Sequence, residues 1–148
     1  MRSRLRGRLA AAVVAIILGS VLALFATTGP AVAFFSGGLF LDVQVESPAH
    51  LVSRGAAVDV PLEVTCNATG SVDVFVSVSQ KAGSGVAQGF GSTSVGCTGS
   101  GQQITVRVQA SGGKTFKQGT AVANAEVFGC NNVTCGSETD SEVIDIKK

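Results

Sequence analysis

Four cysteines, one histidine and a late run of acids are the residues with chemistry to offer in this 148-residue chain. Cys66, Cys97, Cys130 and Cys135 allow three disulfide pairings. His50 stands in Ser47-Pro48-Ala49-His50, which reads as an exposed turn after a first strand. A Ser-His-Asp triad needs a nucleophile on a strained turn and a histidine held by a carboxylate, and no stretch supplies that frame. A zinc site fails for want of ligands, since one histidine and paired cysteines leave too few. Glu138, Asp140, Glu142 and Asp145 offer hard oxygens for calcium, but their spacing lacks the Asp-x-Asp-x-Asp-Gly pattern, and alternate acids along a strand read as its solvated face. The stretch from Lys81 to Gly91 has the glycine content of a phosphate loop without the helix that such a loop opens, and reads as a flexible loop leading into an irregular edge strand. Asn67-Ala68-Thr69 and Asn132-Val133-Thr134 match the glycosylation sequon. The expectation is a non-enzymatic protein with no catalytic, cofactor-binding or metal-binding residues.

The N-terminus carries an address. Arg2, Arg4, Arg6 and Arg8 precede an apolar run from Leu9 to Phe25, then Pro30 and Ala31-Val32-Ala33. That order is a charged region, a hydrophobic region and an A-x-A cleavage site, so residues 1–33 read as a signal-peptide helix cut between Ala33 and Phe34. An uncleaved anchor is the rival, because the apolar run is at the short edge of what spans a bilayer. Residues 34–148 are then the mature domain, secreted into the medium or held at the cell wall, touching membrane only through the signal. It carries seven basic against ten acidic residues, a formal charge of −3. Without a basic patch, Trp or Tyr, nucleic acid is excluded as a partner. An oxidising compartment licenses disulfides for all four cysteines.

The elements that must position these residues are strands. Apolar residues alternate with polar ones at Leu41–Val45, Val58–Val64, Val72–Val78, Ile104–Ala110, Ala121–Val127 and around Ile144 and Ile146, and a glycine-broken strand from Ala87 to Cys97 makes seven. Period-two patterning means strands with one buried face. The fold class expected is all-β, an antiparallel immunoglobulin-like sandwich. Pro61, inside the second strand, predicts a local irregularity. Cys66 and Cys97 share the inward parity of their strands, which favours Cys66–Cys97 and leaves Cys130–Cys135 to shape the last turn. Phe116 reads as a core residue at a corner. Phe75 and Phe90 fall off the core face and, with Phe128, predict an exposed apolar patch of the kind that marks a binding surface.

Thr65-Cys66, the strand Val74-Phe75-Val76-Ser77-Val78-Ser79-Gln80, Gly89-Phe90-Gly91-Ser92-Thr93, Cys97-Thr98-Gly99 and Phe116–Ala121 together resemble a group of small secreted actinobacterial proteins. The resemblance spans roughly Val64 to Val127 and implies the immunoglobulin-like fold and the Cys66–Cys97 bridge, with no activity attached. The second cysteine pair and the lack of an aromatic near Gln103 to Thr105 depart from that group. Two disulfides, one closing a C-x-x-x-x-C loop, are also similar to the neocarzinostatin-type apoproteins, whose other bridge closes a shorter hairpin. The function expected is an extracellular binding or structural surface domain with an extracellular partner or small ligand. The alternatives are a small-molecule carrier and a protease inhibitor presenting a disulfide-propped loop.

Overall fold

The computed structural model describes residues 38–148, so the predicted signal segment and the Ala33–Phe34 cleavage point lie outside the described residues. Wherever valine or alanine recurs at every second position, the backbone is extended and that parity is buried. The strands are β1 (Leu41–Val45), β2 (Ala49–Val52), β3 (Ala57–Cys66), β4 (Ser71–Ala82), β5 (Gly85–Gly96), β6 (Gln102–Ser111), β7 (Gly119–Cys130) and β8 (Cys135–Lys147). Val58, Val60, Leu62 and Val64 of β3 and Val72, Val74, Val76 and Val78 of β4 are all fully buried. Burying each such side chain stabilises by about 1.5–3 kcal/mol. Ala121, Ala123 and Ala125 of β7 are buried with them.

The all-β expectation holds, but the sheet closes on itself where two separate facing sheets were expected. The pairings run β3–β6–β5–β4–β7–β8–β2 and back to β3, a ring of seven strands with β1 added alongside β3. Two of the seams are short. β5 pairs with β6 only from Gln88 to Phe90, and β2 meets β8, in parallel, only at Ala49 and His50. An eighth strand therefore exists that alternation did not reveal: β2 holds His50, which was expected in a turn, although its side chain is exposed as anticipated.

β1 and β2 flank the same edge of β3, one at each end, and the chain passes between them through Glu46-Ser47-Pro48 with a cis Ser47–Pro48 peptide. This break explains Pro61. In an antiparallel strand a residue's N–H and C=O point to the same side. The Pro61 carbonyl accepts from the Glu46 N–H at 3.0 Å, so the side lacking an N–H faces the break and not β6. The β3–β6 ladder stays continuous through Pro61↔Thr105. The expected irregularity sits in the neighbour and leaves β3 intact.

The glycine-rich stretch forms no loop. β4 and β5 pair along their whole length, joined by a two-residue turn in which Gly83 takes φ +61°, a conformation that glycine adopts without penalty. On β5, Gly89 and Gly91 point inward, and a Cβ there would collide with the backbone carbonyls of Gln109 and Arg107 on β6. Absent side chains let the two strands come together and close that side of the ring.

Candidate functional site

Alternation puts one set of side chains in the core and the other on the surface, and strand order then decides which surface residues meet. On the outside of β1, β3 and β6 the residues are polar and bonded to one another. Arg107 grips Asp59 with both arms, Nε to Oδ1 at 2.8 Å and Nη2 to Oδ2 at 2.9 Å. Gln103 donates to Glu46 at 3.1 Å and Glu63 at 2.9 Å, and Gln44 donates to Asp42 at 3.2 Å. The Arg107 hydrogen bonds hold the Asp59 carboxyl below its usual range against a partial desolvation, with lesser help from the charges of Arg107 and His50. His50 lies opposite Asp59 in register, and both Asp59 oxygens accept from Arg107.

The outside of β5, β4, β7 and β8 differs. Six of the eight large hydrophobic residues exposed among the described residues lie there: Phe75, Val86, Phe90, Val122, Phe128 and Val143. Three rows of cross-strand neighbours carry the aromatics. Phe128 pairs with Asp73, Phe75 stands between Ser92 and Glu126, and Phe90 pairs with Ser77. The phenylalanines thus step diagonally from β7 through β4 to β5. Phe75 and Phe90 are stacked, with ring centroids 6.2 Å apart and planes 22° from parallel. They are 37% and 55% exposed, and Phe128 is 43% exposed. Val122 and Val143, a registered pair on β7 and β8, extend the face. Between the apolar residues stand small hydroxyls and an amide, Ser77, Ser79, Asn124 and Ser141, which leave the rings proud of the sheet.

Of the acids of β8, Glu138, Glu142 and Asp145 are exposed, as a solvated face has them, and Asp140 is half-buried. Glu138, Asp140 and Glu142 share parity with buried Ile144 and Ile146, but they lie at the end where β8 runs beside β1 without a ladder, and there that parity is open to solvent. Asp140 Oδ2 accepts from the Val45 N–H at 2.7 Å, and the Asp145 N–H donates to Ser47 Oγ at 3.1 Å. Side chains thus bridge that open seam. Among the described residues no three His, Cys, Asp or Glu converge as metal ligands.

Cys66 is joined to Cys97 and Cys130 to Cys135. The Asn131–Thr134 turn within the second bridge is tight: Asn131 Oδ1 accepts from the N–H groups of Val133 at 2.9 Å and Thr134 at 2.8 Å. Of the sequon residues, Asn67 has its amide engaged with the backbone of Gly38 and Phe40, while Asn132 is exposed in that turn.

Gln80 was not singled out by sequence. It is the one buried polar side chain among the described residues, and it clamps the segment before β7 by donating to the Lys117 carbonyl at 2.7 Å and accepting from the Lys117 N–H at 2.8 Å. The clamp fixes Phe116 in the core, where it is 1% exposed. Its even parity, continuing the valines of β4, was the signal for its burial.

No protein-family model matches the chain, and no curated protein matches it. Among solved structures the chain is similar to AggA, the major subunit of aggregative adherence fimbriae type I from Escherichia coli, at 12% identity over 74% of this chain and 95% of that one, with a TM-score of 0.39. It is similar to CsgH of R. palustris at 15% identity over 68% of this chain and 90% of that one, also with a TM-score of 0.39.

Proposed function

We propose that this chain is a secreted, non-enzymatic immunoglobulin-like domain that works by contact, as a binding or structural component outside the cell, through the outer face of β5-β4-β7-β8. The observation that carries the reading is segregation: the exposed large hydrophobics gather on this face, while the face of β1-β3-β6 is a bonded polar network. Scattered surface aromatics need no explanation, but the stacked Phe75 and Phe90 with Phe128 on the same diagonal form an exposed apolar cluster of the kind that marks an interaction site. Two disulfides suit an oxidising, extracellular setting, as does the signal read from residues 1–33. The sandwich description is supported by the short β5–β6 and β2–β8 seams, which divide the ring into β1, β2, β3 and β6 on one side and β5-β4-β7-β8 on the other.

The carrier alternative draws less support, because Phe75, Phe90 and Phe128 lie exposed on an outer face and Phe116 is buried in the core. The inhibitor alternative wants an extended loop, and the Asn131–Thr134 turn is folded back on Asn131. The test is co-sedimentation of labelled, disulfide-intact protein with cell envelopes of the source organism. Wild type is expected in the pellet and Phe75→Ser/Phe90→Ser in the supernatant with an unchanged circular dichroism spectrum. Equal retention of the two proteins sinks the face as the site, and turnover on a hydrolase panel that vanishes with His50→Ala sinks the non-enzymatic reading.

A further inference from the structure

Resting on that face as the site of contact, we propose that its occupant is a second copy of this chain, docked face to face about a two-fold axis that runs across the strands through Phe90, Ser77, Asn124 and Ser141. The argument begins with charge. Asp73 and Lys81 lie on the outer side of the central strand β4, each four residues from Ser77 and on opposite sides of it. Neither has an ion-pair partner among the described residues.

A two-fold axis lying in the interface and passing through the Ser77 row turns β4 antiparallel over its own copy. Asp73 then faces the copy's Lys81, and Lys81 the copy's Asp73. An isologous interface makes every such contact twice. Four residues of strand place each charge about 13 Å from the axis. Packed sheets cross at up to about 30°, which offsets the partners by about 7 Å, a gap the long lysine stem spans.

Shape agrees with charge. The same operation sets Phe75 over the copy's Ser79, a small side chain that gives the ring room, and brings the two Phe90 rings together at the axis. Four strands about 4.8 Å apart, over the nine residues from Asp73 to Lys81, present roughly 500 Å² per copy. Roughly 1,000 Å² in all is at the lower end for a specific interface, the size of a weak, reversible contact.

Sedimentation velocity on the purified, disulfide-intact protein from low micromolar to several hundred micromolar tests the geometry. Wild type is expected to pass from monomer to dimer across that range. Lys81→Asp and Asp73→Lys, each setting like charges opposite one another, are expected to weaken dimerisation at least tenfold. The combined Asp73→Lys/Lys81→Asp exchange is expected to restore it to within a few fold of wild type. Phe75→Ser/Phe90→Ser is expected to stay monomeric. A double charge exchange as weak as the single variants overturns the axis. A wild type that stays monomeric while Phe75→Ser/Phe90→Ser still loses envelope retention overturns the second copy as occupant and leaves the face standing; if retention is also unaffected, both readings fall.

Discussion

Asp59 and Arg107 meet across β3 and β6 in a two-pronged pair whose effect is legible in a titration. Because the folded carboxyl is held below its ordinary value of about 3.9, the unfolded chain binds the proton more readily, and the pair's contribution is complete above that value. It disappears as pH falls through the lowered folded pKa. Arg107→Gln should therefore raise the Asp59 midpoint, followed by carboxyl NMR, toward the ordinary range. The stability gap between wild type and Arg107→Gln should be wider at pH 7 than at pH 2, and an unmoved midpoint would show that Arg107 does not set it. The pair itself was not legible in the sequence: Asp59 and Arg107 are ordinary outward residues of two separated alternating stretches until strand order makes those stretches neighbours. The outward parity of Phe75, Phe90 and Phe128 was legible residue by residue, since each lies between buried neighbours. Their assembly into one diagonal was not, because it depends on the β5-β4-β7 order.

β5 turns on backbone approach. Its inward Gly91 leaves the space that the Arg107 carbonyl of β6 fills, whereas Gly96 on the same strand has nothing within 4 Å of where a Cβ would stand. Overpacking against a rigid backbone costs about 1–3 kcal/mol. Gly91→Ala should lower the thermal midpoint by roughly 4–8 °C for each of those kilocalories. Gly96→Ala should leave stability within about 0.5 kcal/mol of wild type, as an unencumbered surface substitution does. If the two alanines behave alike in thermal denaturation, strand approach is not what these glycines serve. The same physics explains why β5 read from sequence as a glycine-rich loop leading into a glycine-broken edge strand: a strand recognised by its side chains is hidden when a distant strand replaces them. β2 was hidden differently, being four residues long and too short to alternate. In β8 alternation was present, but acids occupied the inward parity, so half of the strand read as solvated edge.

At the scale of the molecule, two staples reinforce a small core. Cys66–Cys97 spans 31 residues and Cys130–Cys135 spans 5. By loop-closure entropy the first is worth about 3–4 kcal/mol and the second about 2 kcal/mol. Denaturant unfolding of Cys66→Ala/Cys97→Ala and of Cys130→Ser/Cys135→Ser should therefore rank the long bridge as the costlier loss; the reverse order would mean that the last turn nucleates more of the fold than its size suggests. The class of fold was legible because period-two alternation is local. Closure into a ring was not, because it is made by seams of only a few residues whose partners stand far apart in the chain.

The seam between β2 and β8 carries a consequence for biosynthesis. It joins Ala49 and His50 to Ile146 and Lys147, nearly the two ends of the described chain. A chain emerging N-terminus first can pair β3 with β1 and β2, and β4 with β5, while its remainder is still arriving. It cannot complete the ring until the last strand has been delivered. Such long-range closure is paid for late and slowly. A chain stopped before β8 would leave β7 with a bare edge and Ala121, Ala123 and Ala125 short of their cover, the form of exposure that proteases remove. Until β8 is in place, β2 therefore has a neighbour on one side only.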